Sequence, residues 1–303
     1  MATVVAPVRE EVKVTVHSAL TILNAIPCLR GIAVGTSLPV TVTVREAESL
    51  KVEAEDTDYV KFLVSKFRER FQLRESQNVE IVVFSEIPPR SGLKSSSAVA
   101  VAIICGLALF HELDLTLHQC LRLAAEWSRE FGVSFTGALD DAAACLLGGV
   151  VYTDNYENVV LRHLPIDILG LENTEVMIVI PRGWRKAPRE RIEKLRLLRS
   201  LYQRLFEKAL QTERVLLDLA QINTQLLCQI LGYDVHLVKA LSEITHGIAL
   251  LSGNGPALAV LNYSEELDEE TSQEIRSRSE LLLFTSLRDL ELHVEDPVSR
   301  LRT

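Results

Sequence analysis

The sequence predicts an α+β fold in two halves. Strand-like runs occur in both halves, as at Val40–Val44 (VTVTV) and Glu175–Ile180 (EVMIVI). Segments with helical spacing lie between such runs, which indicates helices packed on a sheet in each half. With 303 residues, 48% of them apolar, the chain is long enough for two domains. We therefore expect one domain in residues 1–165 and a second in residues 166–303.

The first half mixes strands and helices. Alternation of apolar and polar residues predicts half-buried strands, and apolar residues spaced three and four apart predict helices. A glycine pair, Gly148-Gly149, is expected to end a short helix. The expected elements, in chain order, are strands at 12–16 and 40–44, a helix at 56–71, a strand at 79–84, helices at 98–110 and 116–131, a short helix in the segment that starts at Thr136 and ends before Gly148, and a strand at 150–153.

The second half begins with a strand that Pro181 ends. Long helical stretches follow, and then two apolar runs separated by a glycine turn. The expected elements are a strand at 175–180, helical stretches at 188–220 and 222–245, a strand, a glycine turn and a second apolar run within 248–261, an acidic helix around 265–279, and strands at 281–284 and 290–294.

Composition narrows the classes of function. The formal net charge of −9 argues against nucleic acid as the main partner. The five cysteines form no CxxC pair, so we expect a reduced, cytoplasmic protein without a structural zinc. Residues 1–12 carry acidic residues where a signal peptide has an apolar core. The longest apolar run, Ala98–Phe110, is too short to span a membrane and reads as a buried helix.

The segment Ile87–Ala98 (IPPRSGLKSSSA) carries the strongest chemical signal. It places a glycine and three serines where the helix at 98–110 should begin. A helix start directs backbone N–H groups and a positive dipole end at one point, which suits phosphate. The same serines also fit an ordinary helix N-cap. The spacing of a Walker A loop is absent, so a phosphate site here is of another kind.

Asp140 and Asp141 are the second signal. One carboxylate at the start of a short helix fits a partner for the helix dipole. Two adjacent carboxylates followed by an apolar segment also fit a group that orients or accepts a substrate hydroxyl proton. The residues alone leave both interpretations open.

Two fainter signals are Ser252–Pro256 (SGNGP) and the pair His17 and Asn24. A glycine turn between apolar runs is often only a hairpin, although its N–H groups can also meet a ligand. Polar residues within the apolar segment 17–26 are most simply hydrogen-bonded core groups.

The segment 181–191 concentrates basic residues in an acidic chain. Such a run usually forms a solvated face. Its place directly after a strand, with glycine and proline, also fits a loop that binds an anion, and arginine binds carboxylate or phosphate through two parallel bonds. Arg182, Arg185 and Lys186 are the candidates for this role.

Together these motifs resemble the GHMP kinase superfamily. Its phosphate loop reads P-x-x-x-G-L-G-S-S-A, and this chain has PPRSGLKSSSA, with Lys94 in the place of a glycine. The GLKSSSA variant, TGALDD at Thr136–Asp141 and SGNGP resemble the archaeal shikimate kinase branch. The resemblance extends over about residues 15–262.

The resemblance implies an N-terminal domain of the ribosomal protein S5-like kind and a ferredoxin-like C-terminal domain. It implies ATP and Mg²⁺ as cofactors and phosphorylation of shikimate to shikimate 3-phosphate in a cleft between the domains. Two alternatives stay open: another small-alcohol kinase, such as a homoserine kinase, and a ligand sensor without catalytic activity.

The resemblance also implies roles for particular residues. Asp141 lies seven residues before Gly148, as the catalytic aspartate of mevalonate kinase-like enzymes does, and counting from Thr136 leaves Asp140 as the alternative. Ser96, Ser97 and Glu126 would hold Mg²⁺, with Glu130 as a second choice for the glutamate. The ATP phosphates would contact Pro88, Pro89, Arg90, Ser91, Gly92, Leu93, Lys94, Ser95, Ser96, Ser97 and Ala98. The substrate would contact residues among His17, Asn24, Thr136, Arg182, Arg185, Lys186, Ser252, Gly253, Asn254 and Gly255.

Overall fold

A computed structural model describes residues 11–74, 77–263 and 269–289. The strands are β1 (Glu11–Leu23), β2 (Arg30–Glu46), β3 (Lys51–Glu53), β4 (Val79–Ser85), β5 (Val150–Asp154), β6 (Val159–Leu164), β7 (Glu175–Pro181), β8 (Ile248–Leu251), β9 (Leu258–Leu261) and β10 (Ser279–Ser286). The helices are α1 (Thr57–Phe71), α2 (Ser95–Phe110), α3 (Leu117–Phe131), α4 (Leu139–Leu147), α5 (Arg189–Lys194), α6 (Arg199–Gln211), α7 (Leu216–Leu231), α8 (Val235–Thr245) and α9 (Glu269–Arg278).

The first sheet has the order β3-β4-β2-β5-β6, and β1 pairs with β2 outside this path. All its pairs are antiparallel except β3 with β4. Buried residues alternate along Val12–Val16 and Val40–Val44, as their sequence pattern predicts. Helix α2 is apolar around nearly its whole circumference because it packs between the sheet and its neighbours α3 and α4.

The second sheet has the order β10-β7-β9-β8, and every pair in it is antiparallel. The glycine turn expected within 248–261 connects β8 to β9, so the hairpin prediction is confirmed. Helix α7 contacts both β8 and β1, and it therefore joins the two halves of the chain. The domain boundary proposed near residue 165 falls between β6 and β7, the last strand of one sheet and the first of the other in chain order.

The α+β prediction is confirmed, but two long helices were predicted wrongly. The stretch 188–220 is divided into α5, α6 and the start of α7, with 3-10 turns between them. The stretch 222–245 is divided at Gly232, which adopts a left-handed conformation after α7, and Asp234 then caps α8. Strands β3 and β6 were not predicted, and the strand expected at 290–294 lies outside the described residues. Among the described helices, none has the length and apolar character needed to cross a bilayer.

Candidate active site

The serines of the phosphate-loop motif lie inside α2 and do not cap it. The residue at the N-cap position is Lys94, which has φ 68° and makes no side-chain capping bond. The Ala98 N–H donates to the Lys94 carbonyl at 2.9 Å, so the first helical turn encloses all three serines. The interpretation of this segment as an ordinary serine N-cap is therefore wrong. Among the described residues, no side chain accepts from the N–H groups of this turn, as an anion site requires.

The segment Ile87–Ala98, called the serine loop below, packs directly against the SGNGP loop (Ser252–Pro256). The Ser252 hydroxyl donates to the Gly92 carbonyl at 3.0 Å, and the Ala257 N–H donates to the Ser91 carbonyl at 2.9 Å. A Cβ atom on Gly92 would collide with the Ser252 carbonyl oxygen, and its φ of 91° also favours glycine. Two motifs that lie about 160 residues apart in sequence thus form one wall.

Lys94 points into the cleft. Only 9% of the surface of Lys94 is exposed. Its ammonium donates to the Thr21 hydroxyl at 2.6 Å and lies 2.9 Å from Asp141 Oδ1 as an ion pair. The Thr21 hydroxyl in turn accepts the Gly253 N–H at 3.0 Å. The lysine that departs from the superfamily pattern therefore joins the serine loop, α4 and the SGNGP loop.

Asp140 lies in a different environment from its neighbour. It is 3% exposed, and Oδ1 accepts a hydrogen bond from the Asn155 amide at 2.9 Å. A Cβ atom on Gly31 of β2 would collide with the Asp140 carboxylate, so the strand makes room for this side chain. Burial, with a smaller contribution from the charge of Asp141, raises the pKa of Asp140 to about 7. The side chain of Asp141, by contrast, is 17% exposed, although both carboxylates border the cleft.

Asn24 connects the two halves of the chain at the cleft. Its side-chain amide donates to Asn254 Oδ1 at 3.2 Å, and its backbone N–H donates to Asn223 Oδ1 at 3.1 Å. The Thr136 hydroxyl accepts from the Asn155 amide at 3.2 Å. Asn24 and Thr136 therefore line the cleft, and their contact with a substrate stays a prediction.

The cleft bordered by these residues has a volume of about 1110 Å³. It brings together most of the predicted residues from both halves of the chain. Its walls include Thr21, Asn24, Pro89, Arg90, Ser91, Gly92, Lys94, Ser95, Ser96, Ser97, Thr136, Asp140, Asp141, Lys186, Gly253 and Asn254.

Ten candidates do not line the cleft. Five of them belong to the two loops that form its wall without bordering it themselves: Pro88, Leu93, Ala98, Ser252 and Gly255. The other five lie elsewhere. Glu126 is exposed on α3, because Ala124, Ala125 and Trp127 occupy the buried face of that helix. Glu130 forms an ion pair with Lys66 at 2.8 Å. Neither glutamate borders the cleft, so the structure does not place Glu126 with Ser96 and Ser97 as a metal ligand.

The other three are His17, Arg182 and Arg185, which do not line the cleft. Burial and the charge of Arg288 lower the pKa of His17 to about 4. Arg182 donates to the Ser277 carbonyl at 2.8 Å, and Arg185 pairs with Glu280 at 2.7 Å. Both arginines are thus turned toward the end of α9 and the start of β10.

Several residues at the site were missed from the sequence. Thr21, Gly31 and Asn155 have no motif of their own, and each is found only through the side chain that it contacts. Tyr233 was also missed; its hydroxyl lies 2.8 Å from the Asn254 carbonyl oxygen.

Comparison with known proteins places this arrangement in a family. Residues 58–149 match the model of the GHMP kinases N terminal domain. A shikimate kinase of Archaeoglobus fulgidus is 30% identical over 83% of this chain and 85% of its own length. A shikimate kinase of Methanothrix thermoacetophila is 34% identical over 82% of this chain and 84% of its own length. The chain belongs to the GHMP kinase family.

Solved structures agree on the fold. The Methanococcus jannaschii mevalonate kinase superposes with a TM-score of 0.71 at 15% identity, covering 93% of this chain and 100% of that one. A Lactococcus lactis galactokinase bound to galactose gives a TM-score of 0.72 at 12% identity, covering 93% and 95%. The GHMP kinase fold predicted from the motifs is confirmed.

Proposed function

We propose that this GHMP kinase is a shikimate kinase, which transfers the γ-phosphoryl group of ATP to shikimate and forms shikimate 3-phosphate. The relatives named shikimate kinase match over most of the chain, at up to 34% identity. The observation that carries the proposal within the structure is the Lys94–Asp141 ion pair. It places a carboxylate and a cation beside the uncapped start of α2.

The serine loop would bind the ATP phosphates. Backbone N–H groups at the start of α2 and the positive end of the helix dipole attract the charged oxygens. The Ser96 side chain is exposed at this turn and can donate to a phosphate oxygen. Phosphoryl transfer needs mainly positioning and positive charge around the γ-phosphoryl group, and this turn together with Lys94 supplies that charge.

Asp141 would orient the attacking hydroxyl of the substrate and accept its proton. Both aspartates line the cleft, but Asp141 is the more exposed of the two and is the one paired with Lys94. The nearby ammonium of Lys94 stabilises the carboxylate and can stabilise charge on the transferred group. Asp140 would support the site from behind, through Asn155 and the space at Gly31.

Mg²⁺ fits this site through the nucleotide. The described residues hold no group of three or more His, Cys, Asp or Glu side chains able to bind a metal. Such a group is not required, because Mg²⁺ in kinases is held by substrate phosphates, waters and one or two protein ligands. Ser96 and Ser97 are the residues that we propose for this purpose. When bound, the ion neutralises phosphate charge.

A coupled ADP-release assay with shikimate tests the function, with the product identified by mass spectrometry. We expect ADP release that depends on shikimate and a product heavier by one phosphoryl group. Homoserine and mevalonate serve as comparison substrates in the same assay. Turnover of either one without turnover of shikimate would refute the substrate assignment and leave the kinase chemistry in place.

A further inference from the structure

Lys186 differs from the other basic residues of the segment 181–191. It lines the cleft, whereas Arg182 and Arg185 do not. Arg189 also borders the cleft, but it pairs with Glu193 at 3.1 Å and lies 5.0 Å from the Phe135 ring centre. Within the described residues, the Lys186 ammonium has neither a hydrogen bond nor an ion pair. It is thus a cation directed at the cleft without an anion to neutralise it.

The surroundings of Lys186 are electrically positive. Lys186 is exposed overall, but partial desolvation in the cleft, followed by the charges of Arg90 and then Lys94, lowers its pKa. Asp141 lies 2.9 Å from Lys94 and neutralises that lysine. This ion pair does not include Lys186. A negatively charged ligand group near Lys186 would therefore relieve repulsion as well as gain an ion pair.

An apolar surface adjoins this cation in the cleft. Ile26, Ala187 and Ile192 belong to one buried cluster, and Phe135 packs against it. All four residues line the cleft. The adenine of ATP or a carbocyclic ring could pack on such a surface. Adenine is uncharged, so the unpaired ammonium beside the patch favours a ring that carries a carboxylate. The combination of an apolar patch with an unpaired ammonium fits a cyclic carboxylic acid.

Tyr233 fixes the backbone on both sides of Lys186. Its hydroxyl accepts the Ala187 N–H at 3.1 Å and lies 2.9 Å from the Arg185 carbonyl oxygen. Its ring stacks on Trp184 with centres 4.6 Å apart, and it fills the space where Gly255 has no Cβ atom. Lys186 is thereby held in place relative to the SGNGP loop before a ligand arrives.

We propose that Lys186 binds the carboxylate of the substrate and that Tyr233 is the residue that positions it. This inference rests on the proposed shikimate kinase activity, because it assigns the acid end of that substrate. The phosphoryl-transfer groups and the acid-binding group would then come from different segments, so that Lys186 selects the substrate without taking part in the chemistry.

The experiment compares Lys186→Gln with Lys194→Gln, which makes the same change on a lysine outside the cleft. We expect Lys186→Gln to raise the KM for shikimate roughly 10–100-fold, as the loss of a charged hydrogen bond does. The KM for ATP should stay within about twofold, and Lys194→Gln should match the unchanged protein. The methyl ester of shikimate, which lacks the charge, should be phosphorylated with equal kcat/KM by the unchanged protein and by Lys186→Gln.

The kinetic results distinguish a failure of the Lys186 assignment from a failure of the proposed function. A raised KM for ATP with an unchanged KM for shikimate would assign Lys186 to the phosphates and overturn the inference. No change in either KM would overturn it as well, while shikimate turnover would leave the proposed function intact. If the unchanged protein does not phosphorylate shikimate at all, the proposed function fails, and the inference fails with it.

Tyr233→Phe keeps the ring and removes only the hydroxyl. We expect a smaller rise in the KM for shikimate, about 3–10-fold, with kcat and the KM for ATP unchanged. In a Lys186→Gln background the same change should add nothing, because the cation that it positions is gone. An equal rise in the KM for shikimate and in the KM for ATP would mean that Tyr233 only contributes packing. A rise in the KM for shikimate that is as large in the Lys186→Gln background as in the unchanged protein would mean the same. Melting temperatures of all variants confirm that they are folded.

Discussion

The two faces of α4 place neighbouring carboxylates in opposite environments. On the cleft face, Asp141 is partly exposed and pairs with Lys94 at 2.9 Å. On the inner face, Asp140 also borders the cleft, but it is only 3% exposed and lies against Gly31 and Asn155. Asp141 forms an ion pair with Lys94 and is accessible to a ligand, whereas Asp140 is almost completely shielded from water. Adjacent residues of the same type can therefore serve different purposes, one chemical and one structural.

The largest effect should come from Asp141→Asn, which removes the carboxylate of the cleft face. We expect kcat to fall about 10³-fold, because the amide cannot accept the substrate proton. ATP binding, measured by calorimetry, should persist because the serine loop is unchanged. Asp140→Asn is the matched control and should retain activity. The reverse result, with Asp140→Asn inactive and Asp141→Asn active, would exchange the two assignments.

The next effect should come from Lys94→Met, which keeps the length of the side chain and removes its charge. Asp141 loses its ion pair, and the phosphates lose a nearby cation, so we expect kcat to fall about 10²-fold. Steady-state kinetics measure this, and Lys94→Arg should recover part of the loss. A Lys94→Met variant with normal kcat would show that the pair only stabilises the fold.

The sequence predicts the positions of Gly92, Lys94 and Asp141 at the cleft far better than it predicts the positions of the arginines in the basic segment 181–191. Gly92, Lys94 and Asp141 belong to short motifs whose backbone conformation and close packing restrict the residue types allowed. Arg182 and Arg185 lie in a segment just as suggestive, but Ser277 and Glu280, about 95 residues away in sequence, determine where they point. The sequence of the segment 181–191 alone cannot predict contacts with residues so far away in the chain.

The sequence also failed to predict which face of α3 is exposed and where the helices between α5 and α7 end. Glu126 was chosen by analogy, and the packing of α3 places it on the exposed face. The breaks between α5, α6 and α7 carry no glycine or proline signal, so continuous helical spacing concealed them. The inner face of α4 was equally hidden, because no motif connects Gly31 or Asn155 to Asp140.

A third test addresses the inner face through Gly31→Ala. The added methyl group would collide with the Asp140 carboxylate and lie 3.0 Å from the Ala25 side chain. We expect a loss of about 1–3 kcal/mol in the free energy of unfolding, as overpacking of a filled core usually costs. Chemical denaturation measures it. Gly132→Ala is a poor control because of its φ of 93°, so the comparison should use a surface substitution such as Lys194→Ala.

The last prediction concerns the pH dependence of stability, and it isolates the inner carboxylate. Asp140 has a folded pKa of about 7 against 3.8 for an ordinary aspartate, so between these values the folded chain holds a proton that the unfolded chain releases. The stability contributed by this group is therefore lost as the pH rises through that interval, at a rate on the order of 1 kcal/mol per pH unit. Asp140→Asn does not titrate, and its amide oxygen can still accept from Asn155. We expect its stability relative to the unchanged protein to rise between pH 5 and pH 8, measured by denaturation at each pH. Parallel curves would mean that Asp140 is ionised in the folded protein, and the contrast between the two faces of α4 would then be one of position and not of charge.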